Sequence, residues 1–277
     1  MRELKQRVAV VTGAASGIGR ALAVELAEAG CVLSLSDIDD HGLQGTRSLV
    51  EKSGVRITTR HLDVADRKAV HDYADQVAAE HGRVNLIFNN AGVALTASIE
   101  EMSYDDFEWL MNINFWGVVY GTKAFLPHLK RAGEGHIVNV SSVFGLIGIP
   151  TQSAYNAAKF AVRGFTECLR EELEIERCGV SATCVYPGGI RTDIVRNSRI
   201  GQSVDPPDRE QLVEEFDGLA RTSPERAART ILKGVRSDAR RVLIGPDAYL
   251  IDQVQRWLPT AYQGLLARLA RRREGAS

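Results

Sequence analysis

The sequence has few cysteines, almost no net charge and no long apolar run. Its 277 residues include four cysteines, none in a C-x-x-C pair and none beside a histidine at zinc-ligand spacing: Cys31, Cys168, Cys178 and Cys184. This excludes a disulfide-rich scaffold and favours a reducing compartment. The 34 basic and 35 acidic residues give a formal net charge of −1. So neutral a balance gives no reason to expect a nucleic-acid partner.

Targeting and membrane-spanning patterns are also missing. The first apolar run stops at Thr12-Gly13, which is too short for a secretory h-region. The longest stretch without a formal charge, Gly135–Ala158, is rich in Ser, Asn, Gln and Gly and contains Pro150, unlike a membrane span. Apolar residues make up 44% and charged residues 25%, as in ordinary globular proteins. We therefore predict a soluble, cytoplasmic protein.

Short apolar runs alternate with helical patterns along the chain. The predicted strands are Val8–Thr12, Cys31–Ser36, Ile57–Leu62, Val84–Phe88, His136–Val140, Val180–Tyr186 and Arg241–Ile244. The main predicted helices are Gly19–Ala29, His41–Lys52, Arg67–His81, Tyr104–Leu129 and Ser153–Glu176. Strands that are apolar almost throughout are typical of a parallel sheet covered on both faces. The alternation predicts an α/β, doubly wound Rossmann-type domain with a seven-stranded, mostly parallel sheet in the order 3-2-1-4-5-6-7.

Two segments depart from this alternation. We assign residues 1–245 to a dinucleotide-binding catalytic domain, in which the polar segment Asp193–Ala220 has no predicted strand and forms a lid over the substrate. Residues 246–277 form a helical C-terminal extension that Pro259 divides in two. Apolar residues recur there at three- and four-residue spacing: Leu250, Val254, Trp257, Leu258, Ala261, Tyr262, Leu265 and Leu269.

Two interpretations of that apolar stripe are open. The favoured one packs it on the core or on a neighbouring subunit. The other is a basic amphipathic helix that touches an anionic membrane surface, because the residues from Arg221 onward include 12 basic and 5 acidic side chains.

A glycine-rich turn, T-G-A-A-S-G-I-G over residues 12–19, follows the first predicted strand and leads directly into a helix. Its backbone can approach a pyrophosphate that the positive end of the helix attracts. The residues predicted to bind the cofactor here are Gly13, Ser16, Gly17, Ile18 and Gly19.

Asp37 ends the second strand, where a carboxylate can accept hydrogen bonds from ribose hydroxyls and repel a 2′-phosphate. Ser16 and Ile38 offer no compensating positive charge. We predict a preference for NAD(H) over NADP(H).

Polar turns follow the third and fourth strands, at Asp63-Val64 and Asn89-Asn90-Ala91-Gly92. Loops at the carboxyl ends of parallel strands face the ligand crevice in open α/β sheets. The cofactor-binding residues predicted from these turns are Asp63, Val64, Asn90, Ala91 and Gly92.

A candidate catalytic group combines Tyr155, Lys159 and Ser142. Tyr155 and Lys159 are four residues apart, on one face of a predicted helix, and Ser142 lies just past the strand before it. An ammonium beside a phenol favours the phenolate, which suits Tyr155 to acid–base work on an alcohol proton, with Ser142 orienting the substrate oxygen. No histidine has metal-site partners, so we expect no metal.

Together these motifs make the sequence resemble a short-chain dehydrogenase/reductase (SDR) of the compact branch. The likeness spans Thr12 to Thr192 and rests on T-G-x-x-x-G-x-G, Asn89-Asn90-Ala91-Gly92, Asn114, Ser142, Tyr155-x-x-x-Lys159 and Pro187-Gly188-Gly189-Ile190-Arg191-Thr192. About residues 7–245 fit the family core, whereas the C-terminal extension does not.

The resemblance implies a role for each of these residues. Tyr155 would be the acid/base, Lys159 would bind the nicotinamide ribose and lower the tyrosine pKa, and Ser142 would hold the substrate oxygen. Asn114 would support a proton-relaying water, with Asn112 as the competing candidate. The cofactor would also contact Pro187, Gly188, Ile190 and Thr192. The family further implies a homotetramer, or a dimer, with the tyrosine helix between subunits.

The leading hypothesis is an NAD-dependent oxidoreductase that interconverts a secondary alcohol and a ketone. Apolar residues near the predicted chemistry favour a hydrophobic substrate, although they can equally pack beneath loops: Ala94, Leu95, Val143, Phe144, Leu146 and Ile147, with Gln152 as an isolated polar group. The alternatives are an epimerase or dehydratase that retains NAD, and a non-catalytic dinucleotide-binding regulator.

Overall fold

The computed structural model describes residues 3–201 and 206–274, and within them a seven-stranded parallel sheet organises the chain. Its strands are β1 Val8–Thr12, β2 Val32–Asp37, β3 Ile57–His61, β4 Leu86–Asn89, β6 Gly135–Val140, β7 Val180–Pro187 and β9 Arg241–Ile244. They lie in the order β3-β2-β1-β4-β6-β7-β9, and every neighbouring pair is parallel. The predicted fold and strand order are therefore confirmed.

Helices cover both faces of this sheet. One face packs against α1 Gly17–Glu28, α2 Asp40–Val50 and α8 Pro224–Arg236, and the other against α3 Arg67–His81, α5 Gly117–Arg131 and α6 Ser153–Glu176. The remaining helices are α4 Tyr104–Met111, α7 Pro206–Leu219, α9 Pro246–Trp257 and α10 Ala261–Glu274. Each face of the sheet buries its own apolar cluster, which explains why the strands are apolar at almost every position.

Two details of the sequence prediction are wrong. The helix predicted over Tyr104–Leu129 is α4 and α5 joined by a π-helical turn, Asn112–Trp116. The segment Asp193–Ala220 does contain a strand, since β8 Arg199–Ile200 pairs in parallel with β5 Leu95–Thr96. Two-residue strands carry too little local pattern to be recognised, because only the long-range pairing defines them.

The C-terminal extension consists of α9 and α10, separated at Pro259 as predicted. Within the single chain its apolar stripe packs on the core only in part, and packing on a neighbouring subunit, the other half of the favoured interpretation, stays a prediction. Tyr262 is buried, but the side chains of Leu250, Trp257 and Leu265 are each more than half exposed. Leu269 lies outside the described side chains. Within the ranges 3–201 and 206–274, no helix is both long and apolar enough to cross a bilayer.

His136 is a fully buried titratable group in β6. Its Nε2 lies 2.7 Å from the Thr183 hydroxyl oxygen on β7. Burial lowers the pKa of this imidazole to about 4, although the carboxylate of Asp238 acts in the opposite direction. His136 is thus held neutral in the folded protein at ordinary pH.

Candidate active site

The glycine-rich turn and the loop after β4 are bonded to each other. The Thr12 hydroxyl accepts hydrogen bonds from the backbone N–H groups of Asn90 (3.1 Å) and Ala91 (3.2 Å). The Asn90 side chain donates to the carbonyl oxygens of Thr12 (3.0 Å) and Gly13 (3.2 Å). These bonds hold the turns that follow β1 and β4 at one point of the carboxyl edge.

Two glycines keep the backbone of the turn bare. Gly13 has φ of +66°, and a Cβ there would lie 2.7 Å from the Cα of Ala91. A Cβ on Gly19 would overlap the carbonyl oxygen of Gly13. The Ser16 side chain makes no capping hydrogen bond at the start of α1. The free N–H groups of this helix end therefore suit a pyrophosphate, and a dinucleotide fits the residues present.

Asp37 lies at the end of β2 beside the same turn. Its carboxylate accepts hydrogen bonds from the backbone N–H groups of Ala15 (2.8 Å) and Asp39 (3.0 Å). One basic side chain that the sequence reading did not consider is close by, because the Arg20 guanidinium donates to the carbonyl oxygens of Ala15 and Gly42. Arg20 is thus held by neutral oxygens next to the turn, and its guanidinium forms no ion pair with Asp37.

Three further predicted cofactor residues line the same edge. Asp63 closes its own turn by accepting from the Ala65 N–H (2.9 Å), and the buried Val64 packs so tightly that a Cβ on Gly117 would lie 2.9 Å from its Cγ2. Thr192 reaches across to the glycine-rich turn, with its Cγ2 3.0 Å from a Cβ built on Gly17. Thr192 thus brings the loop after β7 to the glycine-rich turn, whereas Val64 packs on α5.

The π-helical turn directs Asn114 inward. Its side chain is fully buried and pairs with the backbone of Val93, accepting from the N–H and donating to the carbonyl oxygen, each at 2.8 Å. A Cβ on Gly92 would lie 3.2 Å from the Asn114 Oδ1 and 3.6 Å from the Lys159 Nζ. Asn112, the competing candidate, is exposed. The structure therefore brings Asn114, and not Asn112, next to Lys159.

Ser142, Tyr155 and Lys159 meet at the carboxyl end of β6. The Lys159 Nζ lies 5.5 Å from the centroid of the Tyr155 ring and donates to the Val140 carbonyl oxygen (3.0 Å). The Ser142 hydroxyl is close enough to the Tyr155 phenol to lower its pKa, and its oxygen accepts a hydrogen bond from the Phe144 N–H (3.1 Å). The three side chains that the sequence separates by up to 17 residues thus form one cluster.

Burial sets the protonation of this cluster. It raises the pKa of the Tyr155 phenol to about 12, and the nearby Ser142 hydroxyl opposes that rise only in part. It lowers the pKa of the Lys159 ammonium to about 8. Our expectation that the ammonium would make the phenol more acidic is not met by the protein chain alone, because desolvation outweighs it. Lys159 remains mostly protonated at pH 7 and close to the pH at which it exchanges its proton.

The loop after β7 is held by a residue that sequence reasoning missed. The backbone N–H of Gly188 donates to the Ile244 carbonyl oxygen (2.9 Å), which continues the β7–β9 pairing beyond Pro187. The Gly189 N–H donates to the Asp247 carboxylate (2.6 Å), and a Cβ on Gly188 would overlap that carboxylate. Ile190, further along the loop, is buried. Asp247 belongs to the C-terminal extension. Its place directly after Gly245-Pro246 is the only local feature of the sequence that could have singled it out.

Arg199 fixes the segment that we predicted to be a lid. Its guanidinium stacks 3.7 Å from the centroid of the Trp109 ring and pairs with the Asp106 carboxylate at 2.9 Å, both on α4. The backbone of Arg199 also donates to the Ala94 carbonyl oxygen (3.1 Å). Arg199 therefore attaches the first part of the predicted lid to α4 and to the loop after β4. Residues 202–205 lie outside the described part of the chain.

The apolar residues predicted to line a substrate pocket are mostly packed instead. Those that are buried are Ala94, Leu95, Val143, Leu146 and Ile147. Phe144 stays partly exposed, edge-on to Tyr155 with ring centroids 5.9 Å apart. Gln152 is not isolated, because its amide donates to the Thr96 hydroxyl (2.9 Å). Of this set, Phe144 remains available to a substrate.

Comparisons with known proteins agree with the fold and with the family that the sequence resembles. A family model described as short chain dehydrogenase matches residues 7–203. SadH from Mycobacterium tuberculosis is 48% identical over 268 residues, covering 96% of each chain. Human Estradiol 17-beta-dehydrogenase 11 is 29% identical over 264 residues, or 94% of this chain and 82% of its own.

A solved structure adds a match in three dimensions. The short-chain dehydrogenase/reductase from Burkholderia phymatum in complex with NAD aligns with a TM-score of 0.86 at 28% identity, covering 92% of this chain and 95% of its own. The chain is therefore an enzyme that belongs to the short-chain dehydrogenase/reductase family of oxidoreductases.

Proposed function

We propose that the protein interconverts a secondary alcohol and a ketone with a nicotinamide dinucleotide, and that Tyr155 is its acid/base. The observation that carries this proposal is the meeting of Ser142, Tyr155 and Lys159 at one end of β6, beside the loops that border the glycine-rich turn. The pyrophosphate would lie on the bare turn Gly13–Gly19, and Lys159 would hold the nicotinamide ribose. When bound, the dinucleotide supplies or accepts the hydride and, when oxidised, adds a positive charge that favours the phenolate.

The chain's own groups handle the proton. The Ser142 hydroxyl lies near the phenol, so a substrate oxygen that contacts both hydroxyls is held where Tyr155 can give or take its proton. Lys159, with its pKa near 8, is a suitable next carrier. The Asn114 side-chain amide makes two hydrogen bonds with the backbone of Val93 and so holds the loop after β4 in place beside Lys159.

We further propose that NAD(H) is preferred over NADP(H). The Asp37 carboxylate lies at the end of β2 and would repel a 2′-phosphate, and Ile38 beside it is apolar and exposed. The Burkholderia relative was solved with NAD, which supports the same choice. The ratio of kcat/KM with NAD⁺ to that with NADP⁺ tests it directly.

A hydrophobic substrate fits the site best. Phe144 offers an apolar surface next to the phenol of Tyr155. The name of the relative Estradiol 17-beta-dehydrogenase 11 points to a steroid alcohol in that protein. We therefore propose hydroxysteroids and long-chain secondary alcohols as the first substrates to examine.

The test is a panel of such alcohols and ketones followed by NADH absorbance. With an active substrate, Tyr155→Phe should lower kcat by at least about 100-fold, the lower range for a general acid–base group, while the Kd for NADH stays within about threefold. Tyr104→Phe, which alters an exposed phenol on α4, is the control and should change neither value. Retained turnover in Tyr155→Phe would refute the assigned role.

We also propose that the protein is a homo-oligomer, either a tetramer or a dimer. Trp116 and Phe160 are large apolar side chains that remain exposed on the π-helical turn and on α6. Exposed apolar patches commonly mark the surfaces that become buried between subunits. Light scattering after gel filtration would give the mass, and a monomer at micromolar concentration would contradict the proposal.

A further inference from the structure

α9, α10 and the turn between them carry exposed large apolar side chains, which we together name the tail face: Tyr249, Leu250, Trp257, Leu258 and Leu265. Trp257 is 79% exposed and Leu250 is 65% exposed. At about 100° per residue, Tyr249, Leu250 and Trp257 fall within an arc of roughly 100° on α9. These side chains share one solvent-facing arc of α9 with the exposed Gln253, whose side-chain oxygen accepts a hydrogen bond from the Trp257 indole (3.2 Å).

The charges around the tail face have one sign. Among the described side chains of α9 and α10, every exposed charged one is an arginine: Arg256, Arg268 and Arg271. The two described carboxylates are engaged within the protein. Asp247 accepts from the Gly189 N–H, and the buried Asp252 pairs with Arg241 (2.8 Å) and Arg256 (2.9 Å).

This charge pattern distinguishes between two occupants of the tail face. Arg256 is already paired with Asp252, which leaves Arg268 and Arg271 as the exposed, unpaired charges among the described side chains. In a symmetric contact with a second copy, these two cations would meet the same cations, which costs free energy. An anionic lipid surface attracts every one of them. Aromatic side chains such as Trp257 and Tyr249 also suit the headgroup region, because each combines an apolar ring with a polar group.

We propose that the tail face docks on the surface of a bilayer that contains anionic phospholipid. The two helices would lie on the membrane with their apolar side chains at the boundary between headgroups and acyl chains, and the arginines would contact lipid phosphates. α10 has 14 residues, too few to span the hydrocarbon core, so the attachment is peripheral.

Docking would place the substrate side of the molecule at the membrane. The phenol oxygen of Tyr262, on α10, accepts a hydrogen bond from the Gly148 N–H (3.2 Å), in the segment that follows Ser142 and Phe144. The extension is therefore attached directly to a loop of the candidate active site. Under the proposed function, on which this part of the inference rests, a lipophilic alcohol would reach the site from the lipid phase.

The experiment is flotation of the full-length protein with vesicles. We expect binding to phosphatidylcholine vesicles that contain 30% phosphatidylglycerol, weaker binding to pure phosphatidylcholine, and a loss on adding salt. The Arg268→Gln/Arg271→Gln variant should lower the partition coefficient about 30-fold, since each basic residue near an anionic surface contributes about fivefold. The Trp257→Ser/Leu258→Ser variant should lower it by at least about tenfold.

Ile99→Ser is the matched control, because Ile99 is an apolar side chain that is 80% exposed outside the extension. It should bind vesicles like the wild type, and circular dichroism should show that all variants are folded. Three outcomes would each overturn the proposal: no binding to anionic vesicles, equal binding to neutral ones, or binding that the tail variants leave unchanged. A fall in molecular mass of the tail variants would instead assign the tail face to a subunit contact and would also overturn it.

The proposed function is tested separately, by measuring the turnover of a water-soluble substrate without vesicles. The tail variants should retain that turnover, because none of the substituted residues belongs to the candidate active site. A wild-type protein that binds anionic vesicles but oxidises no alcohol and reduces no ketone would refute the function and leave the docking proposal intact.

Discussion

Removal of the Asp247 carboxylate tests whether the C-terminal extension holds in place the loop after β7, which we predict to contact the cofactor. Asp247 accepts a hydrogen bond from the Gly189 N–H at 2.6 Å, one residue before the buried Ile190. Asp247→Ala leaves that N–H without its partner and frees the loop after β7 to move. We expect weaker binding of NADH and little change in the chemical step, because Ser142 and Tyr155 are attached to other elements.

The size of the effect follows from the bond. A hydrogen bond to a charged acceptor contributes about 1.5–3 kcal/mol, so the Kd for NADH should rise by about 10- to 150-fold if the whole effect appears in cofactor binding. Asp247→Asn keeps a neutral hydrogen-bond acceptor and should therefore raise the Kd for NADH by a smaller factor. Fluorescence titration with NADH measures the Kd, and kcat at saturating cofactor should stay within about threefold.

A second substitution sharpens this test. Gly188→Ala places a Cβ against the Asp247 carboxylate and should be destabilising by itself, by about 1–3 kcal/mol. In the Asp247→Ala background that obstacle is gone, so the cost of Gly188→Ala should fall, and a double-mutant cycle gives the coupling. The control is Asp252→Asn, which breaks a buried carboxylate pair on the same helix away from the loop. It should lower the Tm without changing the Kd for NADH. A wild-type Kd in Asp247→Ala would refute the reasoning.

Three further predictions concern the lid, the cofactor and pH. Arg199→Ala removes a cation–π contact and an ion pair that contribute about 1–2 kcal/mol together, so KM for a bulky substrate should rise roughly five- to thirtyfold while kcat does not fall. Asp37→Ser removes the charge that opposes a 2′-phosphate beside Arg20, so the kcat/KM ratio of NADP⁺ to NAD⁺ should rise by at least about tenfold. Because the folded pKa of His136 is about 4 against 6.5 for the free side chain, the unfolded state binds more protons between these values and stability falls as pH drops through this window. Between pH 7 and pH 4, the free energy of unfolding measured in urea should therefore fall by about 3 kcal/mol more in the wild type than in His136→Gln.

Each of these three has its own control and its own contradicting result. Lys68→Ala removes an exposed ion pair on α3 and should leave KM unchanged; an unchanged KM in Arg199→Ala would show that the lid is held by its backbone alone. Asp40→Ser removes an exposed carboxylate and should preserve the cofactor ratio; an unaltered ratio in Asp37→Ser would remove that residue from cofactor choice. His71→Gln alters an exposed imidazole and should follow wild type at every pH. Equal pH dependence in His136→Gln and wild type would place the acid sensitivity elsewhere.

Local pattern determined most of the sheet. The strands Val8–Thr12 and Arg241–Ile244 and the helices Arg67–His81 and Ser153–Glu176 have the predicted boundaries. The alternation demands right-handed crossovers, which several strand orders satisfy, and the order found is the one typical of a Rossmann-type domain. The same reasoning predicted that Ser142 and Tyr155 lie at one sheet edge, because strand ends and helix starts alternate along the chain.

Long-range contact decided the rest. The π-helical turn admits an i→i+5 bond that turns Asn114 toward Lys159, and nothing in Asn112–Trp116 distinguishes it from an ordinary helix. The pKa of Tyr155 depends on burial by distant residues, which spacing does not encode.

The extension shows the division most clearly. Its periodicity and its break at Pro259 were visible in the sequence, but periodicity states only that a helix has an apolar side and not what faces it. The tertiary structure left Trp257 in solvent and aimed Asp247 and Tyr262 at two loops of the site. The physical reason is that burial and hydrogen-bond partners are properties of the packed molecule, whereas helix and strand periods are properties of the local chain.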